Sequence, residues 1–396
     1  MIDSTIMRMA LALLLASSLA LAADFQGVWD ASILASAQHV PFRMEISGSP
    51  ARVCFFEDTQ PVCSTAARIE GASLTAEWDY MNTELTLSLK DGTLSGVYRN
   101  RRTKKELAVE AMPHKPPEKA AEPPAKLAGE WEVHSTEEPK LAWQLFLRQS
   151  GKELKGTILR VDGDDGTLAG QVSGNQFSIS HFSGDRPTLL AGTRLADGSL
   201  NLQLGDMKLY ALRPAVARAR NLPPPDDPAT FAKAKNPAEP FRFSLPDLNG
   251  RIVTEADFAG KPLIVSIAGS WCPNCRDEAP FFVDLYRQYH AQGLEIVAFF
   301  FEPDGDPTYA PLRAMLRKYG ITYTALLAGD STKLKEIVPQ IENIAAFPTS
   351  IYIGKDGRVR SVHTGFPSAG SGEELTRVKN ELRALVERMI AEEPRP

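Results

Sequence analysis

Cys272 and Cys275 are three residues apart, directly behind the apolar run of residues 263–268 and at the head of a segment whose apolar positions recur with helical period. A buried strand feeding a helix puts the first sulfur at the helix N-terminus, where unpaired N–H groups and the macrodipole favour a thiolate. Cys272 is therefore the candidate nucleophile. Cys275 follows nearly one helical turn later, within reach of a mixed disulfide on Cys272, so it is the candidate resolving thiol of a redox-active pair. Pro273 suits the first helical turn, where a missing N–H costs nothing. The same spacing is also half of a zinc cage, but no second half exists: Cys54 and Cys63 lie far upstream, and His290 and His363 have no paired ligand spacing. The pattern calls for thiol–disulfide exchange, with no metal and no cofactor.

The elements around the pair alternate. After residue 241 a strand pair near residues 245–250 leads into the apolar strand, then a helix over about 273–291 that places Cys275, Ala279, Phe282, Tyr286 and Tyr289 on one face. A second apolar strand at 294–301, a helix containing Leu312 and Met315, a strand near 323–327 and a short helix before Pro339 follow. A hairpin around Asp356-Gly357 and a terminal helix, opened by Ser371 with Glu374 in capping-box spacing, close the chain. Strands alternating with helices predict an α/β domain over 241–391.

Upstream the period is different. Residues 24–111 and 127–213 read as short alternating strands between Gly, Asp and Ser turns, two all-β domains for which barrel and sandwich remain equally open. Gly27-Val28-Trp29 is echoed by Gly129-Glu130-Trp131, Gly71 by Gly174, and Asp91-Gly92 by Asp197-Gly198, at offsets of roughly 102 to 106 residues, which suggests a duplicated domain. Trp29, Trp78 and Trp131 read as core aromatics at strand spacing, although they could line a ligand surface. Proline-rich stretches at 112–126 and 214–240 read as linkers, the second holding the α/β domain at a semi-rigid distance from the β pair.

Residues 1–23 carry a compartment signal: Arg8, an apolar run too short to span a bilayer comfortably, and a small-x-small pattern ending at Ala22. A signal peptide predicts an exported protein of the periplasm or cell envelope, with no transmembrane segment in the mature chain. In that compartment Cys54 and Cys63, flanking a hairpin tip, read as a structural disulfide. The formal charge of -5, with 23% charged residues, excludes a polybasic nucleic-acid surface; the cluster from Arg99 to Lys105 reads as a solvated turn.

Gly260-Lys261-Pro262, the strand behind it, Trp271-Cys272-Pro273-Asn274-Cys275-Arg276-Asp277-Glu278-Ala279-Pro280, the opening from Phe243 to Gly250, Phe347-Pro348-Thr349-Ser350-Ile351-Tyr352-Ile353, Asp356-Gly357 and Gly365 together resemble the TlpA/ResA group of exported thioredoxin-like proteins. The resemblance covers residues 241–390 and implies a thioredoxin fold. It implies a cis proline at Pro348, with Phe347, Pro348 and Thr349 forming the edge that docks substrate, where the sequence alone favours the far commoner trans proline opening a strand. It implies that Trp271 packs beside the dithiol, a position otherwise suited to a core aromatic.

Two departures from thioredoxin itself matter. Ser266 stands where thioredoxin has a buried Asp six residues before the nucleophile, so another proton acceptor is needed for Cys275; Glu278, matching the ResA pattern, is the candidate. The dipeptide Pro273-Asn274 replaces Gly-Pro, which leaves the direction of catalysis open. Arg276 could add positive charge near Cys272, but reads first as a solvated helix position. The expected activity is reduction of protein disulfides, recharged by an upstream thiol electron donor. Alternatives are a thiol oxidant or isomerase, and a binding or scaffold protein in which the β pair holds the ligand and the dithiol is a redox latch.

Overall fold

The computed structural model describes residues 24–56, 61–115, 123–303, 305–344 and 346–393; the signal segment lies outside them. The chain divides into two compact units, the first built on the β-sheet of residues 27–113 and the second running from residue 117 to the C-terminus. The large all-β N-terminal region and the C-terminal α/β domain agree with the architecture expected from the sequence.

In the first unit consecutive strands pair antiparallel except Val62–Cys63 and Ala66–Glu70, which are the two edges of the sheet, and the first strand, Gly27–Ala35, pairs with the last, Glu106–Pro113. Alternation decides which side chains enter the core: in Ser73–Trp78 every second residue, Leu74, Ala76 and Trp78, is fully buried. Trp78 stacks on Phe55 with ring centroids 4.6 Å apart. Cys54 and Cys63 face each other across Arg52–Phe55 and Val62–Cys63 and are disulfide-bonded.

In the second unit the eight strands Gly129–Ser135, Ala142–Ser150, Glu153–Arg160, Leu168–Ser173, Gln176–His181, Thr188–Arg194, Leu200–Leu204 and Met207–Leu212 pair in succession, and the last pairs with the first. The sheet is therefore a closed barrel, which abolishes free edges. Its interior is filled by Leu145, Ile158, Phe177, Ile179 and Leu190 without any cysteine. The two β-domains share a local device as well as a meander. Trp29 Nε1 donates to Phe25 O at 3.0 Å, and Trp131 Nε1 donates to Leu127 O at 2.8 Å. Between donor and acceptor, Gly27 and Gly129 sit at φ of 126° and 112°, where a side chain is strained. All three tryptophans weighed as ligand-lining residues are buried in the core.

The C-terminal domain is a five-stranded sheet in the order β3-β2-β1-β4-β5, with β1 Leu263–Ala268, β2 Glu295–Phe301, β3 Thr324–Gly329, β4 Thr349–Ile353 and β5 Val359–Thr364. The strands β1, β2 and β3 run parallel, while β4 is antiparallel to β1. Every residue of β1 and β2 is buried, which is why both read as uninterrupted apolar runs. Helices α1 (Pro273–Tyr289), α2 (Ala310–Tyr319) and α3 (Glu373–Ala391) flank the sheet.

Two expectations change. The terminal helix is not opened by a Ser371 capping box: Ser371 lies in the 3-10 turn Ala369–Ser371, its hydroxyl donating to Ser368 O, and Gly372 at φ 63° breaks the chain before α3 begins. Residues 214–240 are not a spacer between the barrel and the α/β domain. Pro214–Ala219 is helical, with Ala217 buried and Arg218 bonded to Glu132; Thr364 N donates to Pro228 O at 2.9 Å; and Lys233–Ala234 pairs with Ile341–Glu342. Barrel and α/β domain share one unit because their backbones meet closely: a Cβ at Gly365 would lie 2.5 Å from Gly163 N. Asp164 is buried at this join and accepts from Ser368 N at 2.7 Å and Gly166 N at 3.0 Å.

The disulfide of the first β-domain closes a loop of about ten residues, for which the chain-entropy account gives about 2–3 kcal/mol. A Cys54→Ser/Cys63→Ser double variant should lose about that much stability in urea denaturation, monitored through the first unit.

Candidate active site

Helix α1 begins on a sulfur atom. Cys272 is its N-cap, with extended backbone at φ -91° and ψ 117°, and its Sγ accepts a hydrogen bond from Cys275 N at 3.1 Å. Pro273 fills the first helical position, as its fixed φ favours. The backbone thus aims an N–H at the position where a Cys272 thiolate would carry its charge. Cys272 and Cys275 are joined as a disulfide with Cα atoms 5.3 Å apart, and both are buried, at 0% and 2% exposure.

The register of β1 and β4 sets the second half of the site. Ser266 lies opposite Ser350, and both hydroxyls donate to the Glu278 carboxylate, Ser266 at 2.9 Å and Ser350 at 2.6 Å. Glu278 is itself one helical turn beyond Cys275 on α1, on the same face. Burial pushes its carboxyl up to about 7, although the two serine donors favour the anion. A carboxyl so placed exchanges a proton near neutral pH, which suits an acceptor for the resolving thiol. Ser266, noted in the sequence only as a missing aspartate, thus helps to hold the carboxylate that takes its place.

The Phe347–Pro348 peptide bond is cis. Thr349 is fully buried, its hydroxyl donating to Ala346 O at 2.9 Å, while Gly365 N donates to Pro348 O at 2.8 Å. Trp271 donates its Nε1 to Phe301 O at 2.7 Å and lies 5.0 Å, centroid to centroid, from the half-buried Phe347 ring. The contact of Trp271 with Phe347 thus joins the turn before α1 to the residues that open β4, Pro348 and Thr349. Cys54 and Cys63 belong to the other compact unit.

Ser350 and Glu302 were not singled out from the sequence, and Asn274 and Arg276 were read there without the partners that the structure gives them. Ser350 carried no local signal, because only the pairing of β1 with β4 gives it a partner. Glu302 accepts from Ser270 N and Ser270 Oγ, both at 2.7 Å, and so fixes the turn leading to the cysteines. Asn274, between the cysteines, is 1% exposed; its Nδ2 donates to Asp164 O at 3.2 Å and its Oδ1 accepts from Arg186 Nη2 at 3.2 Å. Arg276 is not a solvated helix residue. It is 8% exposed, donates to Ser270 O at 3.3 Å and is ion-paired with Asp185. Among the described residues no group of three or more His, Cys, Asp or Glu side chains is placed to hold a metal ion.

Residues 233–382 match the Redoxin family model. Over 119 residues, 30% of this chain, it is 30% identical to the thiol-disulfide oxidoreductase ResA of Bacillus thuringiensis subsp. konkukian, and over 123 residues it is 29% identical to ResA of Bacillus subtilis. The chain spans 62% and 64% of the length of these relatives. A solved thioredoxin-family thiol:disulfide interchange protein from Chlorobium tepidum is 24% identical, with a TM-score of 0.31, covering 39% of this chain and 98% of its own.

The Glu278 carboxyl sets a pH dependence whose sign is fixed. Its folded value, about 7, lies above the ordinary 4.5, so the native state holds a proton that the unfolded chain has released. Stability linked to this group is complete below about 4.5 and declines as pH rises towards 7. Glu278→Gln should flatten that decline in thermal melts across the window. The same variant should lower disulfide-reducing kcat by about 10²-fold near pH 7, the lower range for loss of a general acid–base group.

Proposed function

We propose that this protein is an exported thiol:disulfide oxidoreductase that reduces disulfides in protein substrates. The observation that carries the reading is the Cys272–Cys275 pair at the head of α1, with an N–H already directed at the first sulfur and a buried carboxyl one turn beyond the second. In the reduced enzyme the Cys272 thiolate attacks one sulfur of the substrate disulfide. A mixed disulfide forms, the substrate S–S bond breaks, and the other substrate sulfur leaves as a thiolate that takes a proton. Glu278 then accepts the proton of Cys275, whose sulfur attacks Cys272 Sγ. The second substrate thiol is released, and two electrons have passed from the enzyme to the substrate. The resulting Cys272–Cys275 disulfide is returned to the dithiol by an upstream thiol donor, with no cofactor.

Trp271, Phe347, Pro348 and Thr349 form the docking edge for the substrate chain, a role supported by the cis peptide and by the contact of the Phe347 ring with Trp271, the residue before Cys272. Cys54 and Cys63 take no part in turnover and serve as a structural disulfide. Export to the periplasm or cell envelope rests on the N-terminal signal pattern and on the second disulfide. Among the described residues no helix is long and apolar enough to cross a membrane.

In an insulin-reduction assay with dithiothreitol, Cys272→Ser should abolish the protein-dependent rate, and Cys275→Ser should accumulate a mixed disulfide visible by non-reducing electrophoresis. The direction is read from the reduction potential of the pair. A value near or below roughly -250 mV supports a reductant, whereas one near roughly -120 mV would make the protein an oxidant and overturn the proposed direction.

A further inference from the structure

A dithiol that exchanges with protein disulfides must present its first sulfur to an approaching chain, since attack needs direct access to the substrate sulfur. Here Cys272 is 0% exposed, and Asn274, Cys275 and Arg276 beside it are 1%, 2% and 8% exposed. The covering groups at Asn274 and Arg276 come from two loops of the β-barrel, residues 162–167 and 183–186. Asn274 Nδ2 donates to Asp164 O, and Asn274 Oδ1 accepts from Arg186. Arg276 is paired with Asp185. The first loop is anchored to the α/β domain at a second place as well, where Ser368 N donates to the Asp164 carboxylate and Gly365 abuts Gly163. Gly365 is also the residue whose N–H holds Pro348 O, so the loop adjoins the docking edge proposed above.

We propose that the barrel of the second β-domain is an intramolecular cap on the dithiol, its loops 162–167 and 183–186 occupying the face that a substrate chain must reach and lifting when a substrate binds. The inference rests on the proposed dithiol chemistry and adds to it a gate. The fastening is polar and specific: one ion pair and a set of hydrogen bonds converge on the two residues that flank Cys275. Contacts of this kind can be exchanged for water or for substrate groups at modest cost, whereas an apolar interface would have to be torn open.

The test uses the full chain with Cys275→Ser, which leaves Cys272 as a lone thiol. Iodoacetamide should label Cys272 slowly in this protein and at least about tenfold faster when Asp185→Ala and Arg186→Ala are added, since the pair removes two charge-assisted hydrogen bonds and the loss of one alone would shift the opening equilibrium about tenfold. Equal rates in a variant that keeps the native circular dichroism spectrum would overturn the cap. A second measurement needs no loop variant: hydrogen exchange of the Cys275→Ser protein, free and carrying a cysteine peptide disulfide-linked to Cys272. Loops 162–167 and 183–186 should lose protection in the linked form. Protection unchanged there would also overturn the cap. If the peptide never links to Cys272, the oxidoreductase reading fails on its own, and the alkylation rates still decide the cap.

Discussion

The site is organised by the demand of one buried charge. A carboxylate brought to 2% exposure must be met by donors or it stays protonated, and Glu278 is met by hydroxyls from two different strands. That requirement fixes the register of β4 against β1, because a slip of one residue would turn Ser350 to the opposite face of the sheet. The cis Phe347–Pro348 bond lies immediately before β4, so the strand that supplies a donor to the carboxyl also positions the proposed docking edge. The opposing tendencies, burial against two hydroxyl donors, leave the group poised near neutrality rather than locked in either form.

What could be read from the sequence was whatever is local. The Cys-x-x-Cys pair, the proline in the first turn, the apolar strands and the proline beside β4 all announce themselves within a few residues, and Glu278 shares a helix with the thiols. Ser350 and Glu302 could not be recognised in this way, since each acquires its partner only when distant strands come together. The same applies to Arg276. On a helical wheel it is an ordinary basic residue, and only the barrel loop bearing Asp185 turns it into a buried ion. The stretch after residue 213 was misread for a related reason: prolines and charges are the signature of an extended spacer, but they equally suit a segment pinned strand by strand along a neighbouring surface.

The two β-domains share one local device and differ in the rest of their chemistry. Each has a glycine at positive φ two residues before a tryptophan whose indole closes back on the chain. The first has a disulfide, and the second has a closed barrel with an apolar interior and no cysteine. The second is the one that carries the polar loops reaching Asn274 and Arg276.

The meeting of Gly163 and Gly365 gives this join an unusual vulnerability. Neither position carries a side chain, and the fit depends on that absence: the space where a methyl group would stand is already taken by a backbone nitrogen 2.5 Å away. Alanine at residue 365 would act as a wedge between barrel and sheet. A single methyl group would thus force the two backbones to shift at the join of barrel and sheet, without touching either sulfur.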